Sequence, residues 1–270
     1  MALSLGEIEK KDPELGKRVR LSIGALNKAS TGTGIDYNSL EAEVLLVLDH
    51  SGSMEDEYDS GGSGFMRRNS GKSQVDEAVS RSLAVGATLD PDQKAQAIFF
   101  DSNVSRANDI DLGNYSDWLK RNRPSRMGST RLDLAVLETI RLSAEVLGVP
   151  AIANNANLKG NWSPVMADRP VLAIIVTDGV PDDSHAARKA FQAASYCPIE
   201  FVIMYVSNQH EGIRFVRELN DLDGTFVDNI CVVEFLGGMS SVTDEAFADG
   251  VLAEFPGWVK AVQGKLLPAA

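Results

Sequence analysis

The chain has 270 residues, 44% apolar and 24% charged, the make-up of an ordinary globular protein with room for one α/β domain of ~200 residues plus additions. Its net charge of -12 and pI near 4.7 argue against a nucleic-acid-binding or anionic-membrane surface, because both call for basic faces. Residues 1–16 lack a secretory apolar core and no run reaches ~18 apolar residues, so the expectation is a cytoplasmic protein with no nucleic-acid partner and no membrane insertion.

Residues 13–27 carry Leu15, Val19, Leu21, Ile23 and Leu26 and read as a helix, with a linker at 30–34. Residues 1–40 are therefore expected to form an N-terminal helical extension, either packed on the outside of the main domain or held out as a docking arm. The domain itself is expected over 41–267. Its first strand is the apolar run Val44, Leu45, Leu46, Val47, Leu48. It has no Gly or Pro and reads as buried on both faces. The run ends in Asp49, Ser51 and Ser53, with Gly52 between the serines. Short oxygen side chains at the carboxyl end of a buried strand lie where open α/β sheets bind ligands. One carboxylate and two hydroxyls suit a hard cation such as Mg2+, which takes six oxygens near ~2.1 Å. The same residue types also form ordinary polar turns.

Residues 55–73 are a polar, Gly/Ser-rich insertion carrying Asp56, Asp59, Arg67, Arg68 and Lys72. It is either a surface loop or a gate beside the proposed cation. A helix is predicted over 75–89 and a strand over 95–100. Asp101-Ser102-Asn103 is expected to turn the chain back through 104–110. A short helix over 115–122 should point Tyr115, Trp118 and Leu119 inward. The basic loop 122–126 leads to Gly128-Ser129-Thr130, which opens a helix over 131–147.

The irregular stretch 148–169 connects helix to strand and so falls on the edge away from the site. Val171 to Thr177 is a second buried strand, ending in Asp178-Gly179. Asp182 or Asp183 is a plausible N-cap for a helix over 183–194. A strand over 199–206, a helix over 212–220, a strand over 227–235 and a final helix over 244–266, interrupted at Pro256, complete the chain. Cys197 and Cys231 are expected as reduced core thiols. Alternating strands and helices define an α/β class with a mostly parallel sheet.

Three stretches, Asp49-His50-Ser51-Gly52-Ser53, Thr130 before a helix, and Asp178 after a buried strand, together resemble the von Willebrand factor A (VWA) domain and its metal-ion-dependent adhesion site. That pattern is D-x-S-x-S, a distant threonine, and a distant aspartate. The resemblance covers about residues 40 to 265. It implies a Rossmann-like, mostly parallel sheet with one antiparallel edge strand, the 104–110 return, and helices on both faces. It implies that Ser51, Ser53 and Thr130 supply hydroxyl oxygens to Mg2+, or to Ca2+ or Mn2+. Asp49 and Asp178 would bind directly or through water. The position left open would take a Glu or Asp from a protein partner. His50, at a variable position of the motif, is expected to support the site and not to bind the cation.

Phe99-Phe100-Asp101, the segment 113–118 around Tyr115 and Trp118, Thr177-Asp178-Gly179-Val180-Pro181-Asp182-Asp183, and the segment 252–258 resemble the VWA proteins of bacterial tellurium-resistance (Ter) systems. The likeness implies a non-catalytic docking module in a stress response to metal oxyanions. A different class is a haloacid-dehalogenase-type phosphatase, which also uses a strand-end Asp and a later acidic pair such as Asp182-Asp183. That chemistry needs an acid two residues after the nucleophile. Here Ser51 stands there, and a hydroxyl cannot serve near neutral pH.

Overall fold

The strand β1, Glu43–Asp49, is buried at every position, as its unbroken apolar run requires. A computed structural model describes residues 3–58, 73–207, 209–236 and 241–269. Among the described residues five further strands join β1: β2 Gln96–Phe100, β3 Val104–Arg106, β4 Val171–Thr177, β5 Ile199–Tyr205 and β6 Ile230–Glu234. Their order is β3-β2-β1-β4-β5-β6. All pairings are parallel except β2 with β3 at the edge, the expected antiparallel return.

The helices are α1 Leu5–Lys11, α2 Pro13–Ser30, α3 Glu55–Tyr58, α4 Gln74–Leu89, α5 Trp118–Asn122, α6 Leu132–Val146, α7 Ser184–Ala194, α8 His210–Asn220, α9 Asp244–Leu252 and α10 Phe255–Val262. The sheet divides them. Val44, Leu46 and Leu48 pack with side chains of α2, α4, α9 and α10. Leu45 and Val47 face α6, α7 and α8. All five side chains are fully buried, each stabilising by about 1.5–3 kcal/mol relative to exposure. The fold is the expected Rossmann-like α/β sheet, mostly parallel with one antiparallel edge strand and with helices on both faces.

The chain leaves β1 for β2 on one side and later returns to β4 on the other. The strand order therefore switches direction between β1 and β4, and the crevice beyond their carboxyl ends is where such sheets hold ligands.

The N-terminal helix α2 is not a free arm. Leu15, Val19 and Leu26 lie in the main core. Buried Arg18 donates to Glu77 at 2.7 Å and to Ser80 at 2.5 Å, both on α4, and its Nε lies 3.2 Å from Asp244 on α9. Asp244 also accepts from Arg81 at 2.8 Å, so one ionic cluster ties three helices.

Several boundaries differ from expectation, each for a local reason. Past Ala107, whose N–H still donates 2.9 Å to Ala97 O, the return leaves the ladder because Asn108 N donates 3.3 Å to Asn122 Oδ1, and an isolated bridge then joins Ala95 to Ile110. The helix expected from 115 begins at Trp118, because Asp111 accepts from Gly113 N at 2.7 Å and turns the chain. Trp118 and Leu119 are buried as expected, while Tyr115 is half-buried with its hydroxyl on Asp12. Strand β6 starts at Ile230, since the Asn229 side chain donates 3.0 Å to Ile199 O and ends the preceding loop. The last helix is two, α9 and α10, with Pro256 in the first turn of α10, where its missing N–H costs nothing.

Cys197 and Cys231 are buried free thiols. Among the described residues no helix is long and apolar enough to cross a membrane. Of the polar insertion expected over 55–73, Glu55–Tyr58 is the one-turn helix α3 and Ser73 caps α4, while residues 59–72 lie outside the described residues.

Candidate metal centre

One register step beyond the Leu48–Val176 pairing, Asp49 and Thr177 stand side by side at the carboxyl ends of β1 and β4. Thr177 donates its hydroxyl to Asp49 Oδ2 at 2.6 Å, and Ser51 N donates to Asp49 Oδ1 at 2.8 Å. The chain then bends into a single 3-10 turn, Gly52–Met54. That turn brings Ser51 Oγ to 3.1 Å from Ser53 Oγ, and Ser53 donates 2.8 Å to Asp178 Oδ1.

Thr130 arrives from the far side. A Cβ built on Gly179 would lie 3.5 Å from Thr130 Oγ1 and 3.6 Å from Ser53 Oγ. Gly179 therefore leaves space between those two hydroxyls that a side chain would fill. All five motif residues, Asp49, Ser51, Ser53, Thr130 and Asp178, lie around one patch of the sheet edge.

Two main-chain seams hold the three loops in place. Ser51 and Gly128 form an isolated parallel bridge, with Gly52 N donating 2.9 Å to Gly128 O and Gly128 N donating 3.3 Å to His50 O. Gly128 is needed for this approach. A Cβ there would sit 2.6 Å from Ser102 Oγ and 2.8 Å from Ser102 N. The second seam joins Thr130 to Asp182. Asp182 N donates 2.9 Å to Thr130 O, and Thr130 N donates 3.3 Å to Asp182 Oδ1. Asp183, the next residue, caps α7 by accepting from Ala186 N at 2.9 Å. The two aspartates thus have separate jobs.

Behind the patch, His50 is fully buried. Its Nε2 accepts from Arg123 Nε at 3.3 Å, and its Nδ1 lies 3.8 Å from Asp101 Oδ2. The guanidinium of Arg123 stacks over the Tyr58 ring at 4.6 Å, and the Tyr58 hydroxyl donates 2.8 Å to Asp49 O. His50 supports the site from behind, and burial and Arg123 together hold its pKa below the ordinary value.

The electrostatics are one-sided. Burial pushes the Asp49 carboxyl up to about 7, against the hydroxyl and amide donors, with Asp178 adding to the rise. Burial also raises Asp178, and Ser53 opposes it. Glu57 on α3 is pushed up to about 7 by burial and then by Asp178 and Asp56. Its Oε2 is buried and has no hydrogen-bond partner. Burial raises all three carboxyls, and Asp178 adds to the rise at Asp49 and Glu57, an environment that a cation would relieve. The donors are all oxygen, which fits a hard divalent ion. Among the described residues no three His, Cys, Asp or Glu side chains converge as a metal cluster; the donor set here is hydroxyl-rich instead.

The chain belongs to the vWA-TerF-like family, the VWA domain found in the C terminus of TerF, which matches residues 41–267. A curated relative, the uncharacterised protein YcbR of Bacillus subtilis strain 168, is 23% identical over 224 residues, covering 83% of this chain and 80% of the relative. Among solved structures, the ArnB paralog VWA2 from Sulfolobus acidocaldarius is 11% identical with a TM-score of 0.45, covering 84% of this chain and 46% of that one. Manganese-loaded TRAP protein of Plasmodium vivax is 14% identical with a TM-score of 0.44, covering 74% of this chain and 70% of that one. Proximal thread matrix protein 1 from the mussel byssus, with a zinc-occupied MIDAS motif, is 11% identical with a TM-score of 0.44, covering 81% of this chain and 47% of that one. The chain thus spans less than half the length of the archaeal and mussel proteins.

Sequence reading named Gly128 only as the residue leading into Thr130 and gave Thr177, Tyr58, Arg123 and Glu57 no role in this region. Thr177 and Asp182 were within reach, because both belong to the Thr177–Asp183 motif. Tyr58 and Glu57 carried no signal, since a one-turn helix leaves no periodicity to read.

Proposed function

We propose that the chain is a divalent-cation-dependent docking module that captures an acidic side chain of a protein partner and performs no catalysis of its own. Asp49, Ser51, Ser53, Thr130 and Asp178 would hold Mg2+, or Ca2+ or Mn2+. The observation that carries this reading is the meeting of Ser53 Oγ with Asp178 Oδ1 at 2.8 Å, with Thr130 Oγ1 facing Ser53 across Gly179. Oxygens from three loops converge there. A bound cation would supply an electrophilic centre able to attract a carboxylate that the chain's net charge of -12 otherwise repels.

The protein's own share is positional. Thr177 and the Ser51 amide orient Asp49. The Gly128 and Asp182 seams set where Thr130 stands. Membership in the vWA-TerF-like family supports placing the module in a tellurium-resistance-type stress system, with the partner a protein of that system. At position 51 a hydroxyl stands where the phosphatase reading needs an acid, and Ser51 Oγ is turned to Ser53.

The test measures cation affinity by calorimetry for wild type and Asp49→Ala, alongside partner capture from the native host with and without EDTA. The expected result is loss of affinity in Asp49→Ala and loss of capture in EDTA. Equal affinity in the two proteins, or capture unchanged by the chelator, would sink the proposal.

A further inference from the structure

We propose that Arg126, on the loop that carries Thr130, is a second anion contact of the docking surface, and that the partner is an acidic protein segment with two carboxylates, one for the cation and one for Arg126. This rests on the cation-dependent docking described above and specifies which kind of segment docks.

Main-chain bonds fasten the loop to the motif at the rim of the patch. Gly128, two residues after Arg126, bridges to Ser51, and its carbonyl accepts from Gly52 N at 2.9 Å. Thr130 follows two residues later. Bridged strands lie about 4.8 Å apart and two residues of chain span at most about 7 Å, so the Cα of Arg126 stands within about 12 Å of that of Ser51. The start of the loop is pinned as well. Arg123 donates to His50 Nε2 at 3.3 Å and its guanidinium lies over the Tyr58 ring at 4.6 Å. Arg126 is thus carried on a fixed support beside the site.

The flank is rich in donors that nothing uses. Arg126 is exposed and makes no ion pair among the described residues. The exposed arginines Arg20, Arg106, Arg141, Arg214 and Arg217 each hold a carboxylate, as expected in a chain of net charge -12. Residues 118–132 contain five lysines and arginines and no Asp or Glu. Next to Arg126, the exposed Ser102 Oγ accepts from Ser129 N at 3.0 Å and lies 3.1 Å from Ser129 Oγ. That hydroxyl contact uses one of two O–H protons, and the other has no acceptor among the described residues.

A lone carboxylate would satisfy the cation and leave this flank idle. A guanidinium matches a second carboxylate through charge-assisted bonds. In an extended segment, side chains two residues apart share one face and are separated by about 7 Å, so a single segment can present both groups. Once the first is on the cation, the second binds at high effective concentration. A lysine or arginine at that place in the segment is repelled, so the flank discriminates as well as attracts. The cation decides whether a segment docks, and Arg126 decides which one.

The experiment uses two five-residue peptides with blocked ends, built on glycine and serine. One has a single glutamate, and the other has glutamates at its second and fourth positions. NMR titration gives their Kd for wild type, Arg126→Gln, Asp49→Ala and, as a control, Lys159→Gln, an exposed lysine on the 148–169 stretch. Each is measured in Mg2+ and in EDTA, and calorimetry gives the Mg2+ affinity. In Mg2+ at low salt, wild type and Lys159→Gln are expected to prefer the two-glutamate peptide about fivefold, the upper end for one exposed ion pair. The preference should vanish in Arg126→Gln with Mg2+ affinity unchanged, and in wild type at 1 M salt, where screening sets in within about 3 Å. Equal affinity of wild type for the two peptides, or a preference kept by Arg126→Gln, would overturn the role of Arg126 while leaving the cation site standing. Peptide binding that persists in EDTA, or equal Mg2+ affinity in Asp49→Ala and wild type, would overturn the docking site and this inference together.

Discussion

At the scale of single residues, Asp182 shows how a side chain can govern a site without belonging to it. Its backbone N–H and its carboxylate Oδ1 both engage Thr130, in a two-way clasp that spans 52 residues of sequence. Asp182→Ala removes the acceptor for Thr130 N but leaves the main-chain bond. Asp182→Asn keeps an oxygen in the same place. Cation affinity measured by calorimetry is expected to fall about tenfold in the alanine variant and to be largely retained by asparagine. If alanine binds as wild type does, the clasp does not position Thr130.

The sequence brought the five motif residues together because they stand at or just past the ends of buried strands or shortly precede a helix, where local pattern is strong. It did not show the clasp or the need for Gly128. Those depend on contacts between Thr130 and Asp182 and between Gly128 and Ser102, and no local periodicity records them.

At the scale of elements, buried strands were the most readable features. β1 and β4 are buried at all seven positions each, so their apolar runs carry the signal without help from neighbours. Element ends were less readable. They are set by side chains such as Asn229 at the start of β6 and by turns such as that at Asp111.

The end of α4 holds a further case. Asp90 caps that helix, with its N–H on Gly86 O at 2.7 Å and its Oδ1 accepting from Asp92 N at 3.0 Å. Burial first, with Glu43 and Asp92 among the charges nearby, raises its carboxyl from 3.8 to about 7. The folded protein therefore holds this proton more tightly than the unfolded chain does. Its contribution to stability is full below about pH 3.8 and is lost as pH rises through about 7. Asp90→Asn is expected to flatten the decline in Tm across that window, in thermal melts without divalent cations. An identical slope in both proteins would show that Asp90 ionises in the fold as freely as in the unfolded chain.

On the scale of the whole molecule, two cores flank one sheet, and none of the five residues of the proposed cation patch belongs to either. The patch sits on a frame that stands without it. A cation that binds only the folded form should raise stability by mass action, by about 2.7 kcal/mol at a hundredfold excess over Kd. Chelation should return the protein to its lower Tm without unfolding it. Far-UV circular dichroism in EDTA at room temperature checks this, and loss of the α/β spectrum would mean that the ion is part of the fold. The N-terminal segment belongs to the same frame. Arg18 binds α2 to α4 and α9, so removing residues 1–40 would strip a wall from one of the cores.

The two seams at the sheet edge carry one more consequence. The amides of Gly52, Gly128, Thr130 and Asp182 are all engaged across loops, in bonds of 2.9 to 3.3 Å. None of these bonds belongs to a helix or to a sheet ladder, so none is protected by the global core alone. In deuterated water the four hydrogens would exchange together, at a rate set by the parting of the loops and not by global unfolding. A ligand that draws the three loops to itself would slow all four at once. Four neighbouring clocks, keeping the same time in the empty protein and slowing in step when it is filled, would report occupancy directly from the backbone.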